Sequence, residues 1–293
     1  MNLSKLILGI FVIYFNMSIG MAQTNRDSLI SHYRNLSVKA NSDRSKTMYS
    51  DSTRAEVIAF LNSKNSFEHP LLNIPYLGDL YSPDNAFRII TWNNSLKDGT
   101  YDYICFIQLA PNKDQETKWF ELNDNHKSIS RAESRSLKKD NWYGCLYYTI
   151  VPFKKDKQSH YALLGWEGNN DFSNKKLIEC LYFNKKNEPL FGKTVFKTNR
   201  LNKRRVVFEY SKEAYLMLRY NEDLKQIIFN RLEPTKPELK GLYSFYQPTM
   251  TFDAYQVKKG EWQFIEDVNP RNKKNNKEFH DPNDLKKAKN KKK

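Results

Sequence analysis

"HYALLGWEGNNDFSNKKLIECLYF" (His160–Phe183) is two apolar runs around a knot of Gly, Glu, Asn and Asp. Both runs, "HYALLGW" and "KLIECLYF", have the length and the aromatic and aliphatic content of β-strands. The knot between them suits a turn, because Gly and Asn tolerate positive φ. It also holds two carboxylates and two amides, the groups from which a ligand loop is made.

Working outward, the same alternation of apolar run and polar turn fills most of the chain. "FRIITWN", "TYDYICFIQLA" and "KWFEL" precede a long polar stretch, Asn123 to Asp140, and "WYGCLYYTIVPF" follows it. Beyond the quoted segment come "LFGKTVF", "RRVVFEY", "AYLMLRY", "KQIIFNRL", "TMTFDAYQV" and "EWQFIEDV". Connections this short favour antiparallel neighbours, since parallel pairing needs crossovers of about a dozen residues or more. The expectation is a mainly β domain over residues 85–268, an antiparallel meander of about eleven strands. A curved sheet, a sandwich and a barrel all fit that pattern, with a partial β-propeller as the alternative.

The segment before it, residues 23–84, reads as helical with a connector. "RDSLISHYRNL" places Leu29, Tyr33 and Leu36 at i, i+4 and i+7, and "STRAEVIAFLNSKN" brings Val57, Ile58, Phe60 and Leu61 near one face. Thr53 and Glu56 have capping-box spacing, which puts a helix start at Thr53. Pro70, Pro75 and Pro83 then interrupt regular structure.

The ends of the chain speak about address. Lys5, the apolar "LILGIFVIYF" (Leu6–Phe15), and small residues Gly20 and Ala22 before Gln23 have the layout of a secretory signal peptide over residues 1–22. That apolar run is shorter than the roughly 20 residues a membrane-spanning helix needs, and no later segment approaches that length. The expected product is an exported protein, periplasmic or extracellular. Formal net charge is +15, but the charge is concentrated. Pro270–Lys293 holds ten Lys or Arg against three Asp or Glu, so residues 269–293 read as a basic, disordered tail. The body is only mildly basic, which gives no specific nucleic-acid signature. Cys105, Cys145 and Cys180 all lie within apolar runs, as buried free thiols do.

Two resemblances stand out. "SPDNAFRIITWN" (Ser82–Asn93) resembles the opening of a blade in TolB-like β-propellers, over a dozen residues and without a steady repeat. "SPDNAFRIITW", "LYYTIVPF", "YALLGWEGN", "RVVFEYS" and "GEWQFIEDV" are similar to exported β-rich proteins of Bacteroidota-type bacteria, from about Ser82 to Val268. This second resemblance implies an exported address and a β-rich fold, and it brings no catalytic residue.

Catalytic motifs are absent: no G-x-S-x-G, H-E-x-x-H, C-x-x-C, P-loop or G-x-G-x-x-G. The histidines His32, His69, His126, His160 and His280 show no recognised metal-ligand spacing. His160, opening a strand, is expected to be partly exposed. No catalytic residue, metal or cofactor is therefore assigned. The candidate ligand-binding residues are Trp166, Glu167, Asn169, Asn170 and Asp171. Glu209 and Asp253 are the carboxylates that could face Glu167 in a glycosidase-like pair. Trp92, Trp142, Trp166 and Tyr246 are candidates for an exposed aromatic platform for a glycan, peptide or protein. The functional expectation is a non-enzymatic exported binding protein with a protein, glycan or envelope partner. The alternatives are a hydrolase of cell-envelope or extracellular polymers, and attachment to polyanions or the envelope through the basic tail.

Overall fold

The computed structural model describes residues 26–112, 117–198 and 201–271. The expected leader, residues 1–22, and the basic tail from residue 272 onward lie outside the described residues.

Two helices come first: α1 over residues 26–39 and α2 over Asp43–Leu61. Helix α2 starts ten residues before the expected point. Ser42 is its N-cap, its hydroxyl accepting from the Ser45 amide at 3.1 Å. Thr53 is mid-helix and donates its hydroxyl to the Tyr49 carbonyl at 3.0 Å, so no capping box forms there. The buried stripe of α1 is also displaced by one residue, to Ile30, Arg34 and Ser37. An apolar pattern cannot mark Arg34 as buried. Its guanidinium docks the helix by donating to the carbonyls of Tyr76 (3.1 Å) and Asn93 (3.3 Å).

Sixteen strands follow among the described residues, several of them only two or three residues long. Sheet 1 is the meander β1 (Gly78–Tyr81), β2 (Phe87–Ser95), β3 (Tyr101–Leu109) and β4 (Trp119–Leu122). Sheet 2 holds β5 (Leu137–Lys138), β6 (Leu146–Lys155), β7 (Gln158–Glu167), β8 (Ser173–Phe183) and β9 (Pro189–Phe191) in the order β5-β9-β8-β7-β6. Strands β10 (Phe196–Lys197) and β11 (Asn202–Lys203) lead to β12 (Arg205–Ser211), which pairs with β8 alongside β9. Sheet 3 combines β10 and β11 with β13 (Leu218–Asn221), β14 (Gln226–Pro234), β15 (Tyr246–Lys258) and β16 (Glu261–Ile265). Among the described residues the strands pair antiparallel except for the two-residue contact of β10 with β16, and the isolated bridge of Asp124 with Trp142 is also parallel. The protein is thus mainly β with antiparallel sheets and N-terminal helices, and none of the sheets closes into a barrel.

Three apolar clusters glue these elements into layers. Ile30, Val57 and Phe60 of the helices pack on Ile90, Trp92 and Phe106 of sheet 1. The other face of sheet 1, with Ile89 and Cys105, meets Leu163, Leu177 and Leu181 of sheet 2. The far face of sheet 2, with Leu164, Ile178 and Cys180, meets Ile227, Tyr255 and Trp262 of sheet 3. Sheet 2 is therefore covered on both faces, and a strand buried on both faces reads as a continuous apolar run. That is why "YALLGW" and "LIECLY" lack polar alternation. All three cysteines are buried and unbridged.

Candidate ligand-binding site

The knot that joins β7 to β8 is a turn and also one wall of a cleft. Asn170 makes the turn: its side-chain oxygen accepts from the amides of Phe172 (2.8 Å) and Ser173 (3.0 Å). Asn169 carries the positive φ, +32°. Asp171 is exposed and pairs with Lys212 at 3.1 Å. Trp166 is half-buried, its ring edge-on to Tyr101 at 5.4 Å. Of the five expected residues, Glu167 and Asn169 line the cleft. Asn170 shapes the turn, Asp171 stays on the surface and Trp166 wedges beneath it.

The floor is a row of charges across three strands. Glu167 of β7 is the cross-strand partner of Lys175 of β8, and Lys175 is the partner of Glu209 of β12. Opposite charges on facing strand positions support one another. Adjacent strands lie about 4.8 Å apart, so the two glutamates are separated by roughly 10 Å at the backbone. The ammonium of Lys175 donates to Asn169 Oδ1 at 2.6 Å and approaches Glu167 at 3.4 Å. Glu209 accepts from Ser173 at 2.7 Å and from Asn169 Nδ2 at 3.2 Å. Glu167 is buried and accepts from the Tyr143 hydroxyl at 2.6 Å. Burial and the neighbouring Glu167 carboxylate hold the Tyr143 phenol well above the ordinary tyrosine range, so it stays a donor. Asp253, the other carboxylate considered with Glu167, is elsewhere: it pairs with Arg231 on β14.

The opposite rim is the connection from β4 to β5, which contains two single 3-10 turns, His126–Ser128 and Ala132–Ser134. It is pinned to β12 by Glu133, whose carboxylate accepts from the Val207 amide at 3.0 Å and pairs with Lys203 at 2.8 Å. His126 points into this rim with its Nδ1 against Asp124 Oδ1 at 2.7 Å. Asp124 is in turn held by the amides of Tyr103 (3.0 Å) and His126 (3.1 Å). A side chain at Gly144 would collide with that carboxylate, its Cβ falling 2.1 Å from Oδ1. Carboxylate contact at Nδ1 fixes the ring, and His126 lines the cleft. Tyr243, half-exposed, stands at the mouth. The cleft is open on one side and has a volume of about 630 Å³, within the usual range of small-ligand sites.

Sequence reasoning missed His126 and the rim because the segment 123–140 reads only as a polar separator, and it missed Tyr143 and Lys175 because they read as ordinary strand positions. The length of that segment was the available signal, since ordered loops longer than about a dozen residues are uncommon and usually functional. The aromatic platform is corrected: Trp92 and Trp142 are fully buried, inside the layers. Their indole nitrogens are satisfied there by Ser50 (2.9 Å) and Tyr147 (2.8 Å). His160 is also corrected, being fully buried between Tyr182 and Phe153. Among the described residues no three His, Cys, Asp or Glu side chains gather as a metal site, and no helix is long and apolar enough to cross a membrane. No family model, curated protein or solved structure matches the chain.

Proposed function

We propose that this protein is an exported, non-enzymatic binding protein whose cleft takes a saccharide. The observation that carries the reading is the floor itself: Glu167, Lys175 and Glu209 in one row, flanked by the Asn169 amide and the Tyr143 and Tyr243 rings. Sugar hydroxyls both donate and accept, and such a row offers them carboxylate acceptors beside ammonium and amide donors in fixed positions. A carboxylate can accept about four hydrogen bonds, so the partly exposed Glu209 keeps capacity for a ligand, while the buried Glu167 acts through the Lys175 and Tyr143 groups it holds. The partly exposed Tyr243 ring adds a flat apolar surface against which a pyranose face can lie.

Glu167 and Glu209 invite the alternative of a glycoside hydrolase, but the floor favours binding. A glycosidase needs one carboxyl kept as an acid. Here both side chains serve as acceptors to neighbouring donors, and a lysine stands between them. Export is supported by the leader pattern at residues 1–22.

Isothermal titration with a panel of oligosaccharides tests the reading. Binding is expected for at least one of them, with no bond cleavage, and Tyr243→Ala should weaken it by about tenfold, the worth of one good aromatic contact. Turnover of the bound sugar, lost in Glu167→Gln, would replace the binding reading with the hydrolase.

A further inference from the structure

We infer that the ligand of this cleft is an acidic saccharide, bound with its carboxylate on the rim and its hydroxyls on the floor. The inference rests on the saccharide reading and adds the charge of the sugar and its orientation.

The two sides of the cleft differ in what they leave unpaired. On the floor, Lys175 is shared between Glu167 and Asn169, and Glu209 is held by Ser173 and Asn169. On the rim, Glu133 is committed to Lys203 and to the Val207 amide. Arg131 is exposed and pairs with no carboxylate among the described residues. Lys127 has only a long contact to Asp102, 3.4 Å, with both side chains about half exposed. His126 is 8% exposed at its side chain. Its Nδ1 faces Asp124, and its Nε2 has no hydrogen-bond partner among the described residues. The unspent cationic donors of the rim are therefore Arg131 and Lys127, whereas the floor is acceptor-rich. An arginine fork matches a carboxylate in shape as well as charge.

The backbone sets how Arg131 is presented. Arg131 holds φ at +50°, and Asn169, which also lines the cleft, holds +32°. Turn residues elsewhere in the chain, such as Lys157 (+64°) and Lys225 (+53°), share this conformation, so it marks Arg131 as a turn residue whose side chain is presented by the loop rather than as a ligand position by itself. The rim turn that fixes Arg131 is itself fixed by Glu133 and by the Ala132 carbonyl, which accepts from Arg205 at 2.6 Å. Arg131 is thus held out at the cleft edge by a braced loop.

The experiment uses the full mature chain and tetramers of galacturonate, mannuronate and glucuronate, each beside its methyl ester. Esterification leaves the sugar in place and removes the charge. The acid form of at least one tetramer should bind ~10-fold or more tighter than its ester, as a charge-assisted bidentate contact supplies. Added salt should narrow that gap, because the contact is near the surface. Arg131→Gln should abolish the difference and Arg131→Lys restore part of it, with the far-ultraviolet spectrum unchanged. Equal binding of acid and ester, or an unchanged preference in Arg131→Gln, overturns the acidic assignment and leaves the saccharide reading standing. Absence of binding by acids, esters and neutral oligosaccharides alike, in a protein shown to be folded, overturns the saccharide reading as well.

Discussion

Two ionic groupings sit four residues apart on the same face of β8, and they have opposite fates. Lys175 lies between Glu167 and Glu209 and opens into the cleft. Glu179 pairs with Arg205 of β12, and both side chains are completely buried. Around the second pair everything is closed. Tyr147 donates to Glu179, Trp142 donates to Tyr147, and the guanidinium lies over the Tyr143 ring at 5.3 Å from its centroid. Tyr143 is the joint between the two: its ring covers Arg205 and its hydroxyl binds Glu167. Similar residue types on one strand thus become structure where the rim and Trp142 seal them, and a recognition surface where the sheets part. Charge alone does not identify a site; access does.

The sharpest way to break this comparison is to remove one partner of the sealed pair. Arg205→Met leaves Glu179 uncompensated in the interior, and loss of about 3–5 kcal/mol is expected, read from urea unfolding. The double variant Arg205→Met with Glu179→Leu should recover most of it, since two apolar groups of similar size need no solvation. A loss below about 1 kcal/mol in the single variant would mean that the pair is reached by water, and the contrast with the cleft would collapse.

A smaller stability change is expected at the open row. Glu167→Gln keeps the shape, and its amide oxygen can still accept from Tyr143, while Lys175 keeps Asn169. The expected cost is about 1–2 kcal/mol, that of weakening a charged hydrogen bond, with a larger proportional effect on saccharide affinity. If Glu167→Gln destabilised the fold as much as Arg205→Met, the row would be a structural element and the cleft incidental to it.

The difference between these rows also marks how far the sequence is legible. "HYALLGW" and "KLIECLYF" announce strands because a doubly covered sheet needs unbroken apolar runs, and the short polar turns announce antiparallel pairing. The site is legible only in part. Glu167 and Asn169 stand out because their knot interrupts an apolar pattern. Tyr143 and Lys175 do not, because a tyrosine and a lysine at strand positions look like any other pair of core and surface residues. Asp124 and His126 are two positions apart, a spacing with no signature, and they become a unit only when the loop turns over Gly144. Arg34 and Arg205, buried completely, are missed because periodicity assigns arginine to solvent. Burial of a charge depends on partners from distant segments, and that information is not local.

The other end of β7 offers the mildest test of the same principle. His160, seven residues from Glu167, is a polar group that the layers have sealed. Its Nδ1–H donates to the Gln158 carbonyl at 3.0 Å, and its Nε2 accepts from the Lys193 ammonium at 3.1 Å, an arrangement that requires the neutral ring. Burial lowers its pKa, and the Lys193 charge adds to that, against the opposing pull of the Gln158 carbonyl. In the unfolded chain a histidine takes up its proton near pH 6.5. Between that value and the lower folded one, the unfolded state binds more protons, so stability is fully present above about pH 6.5 and falls as the pH drops below it. The slope for one such group is at most about 1.4 kcal/mol per pH unit. The stability of His160→Gln minus that of the parent, followed from pH 7.5 to 5, should therefore rise in the variant's favour only below about pH 6.5. A pH-independent difference would show that the ring takes up its proton in the fold as it does in the unfolded chain, and that this end of β7 is open to water rather than sealed.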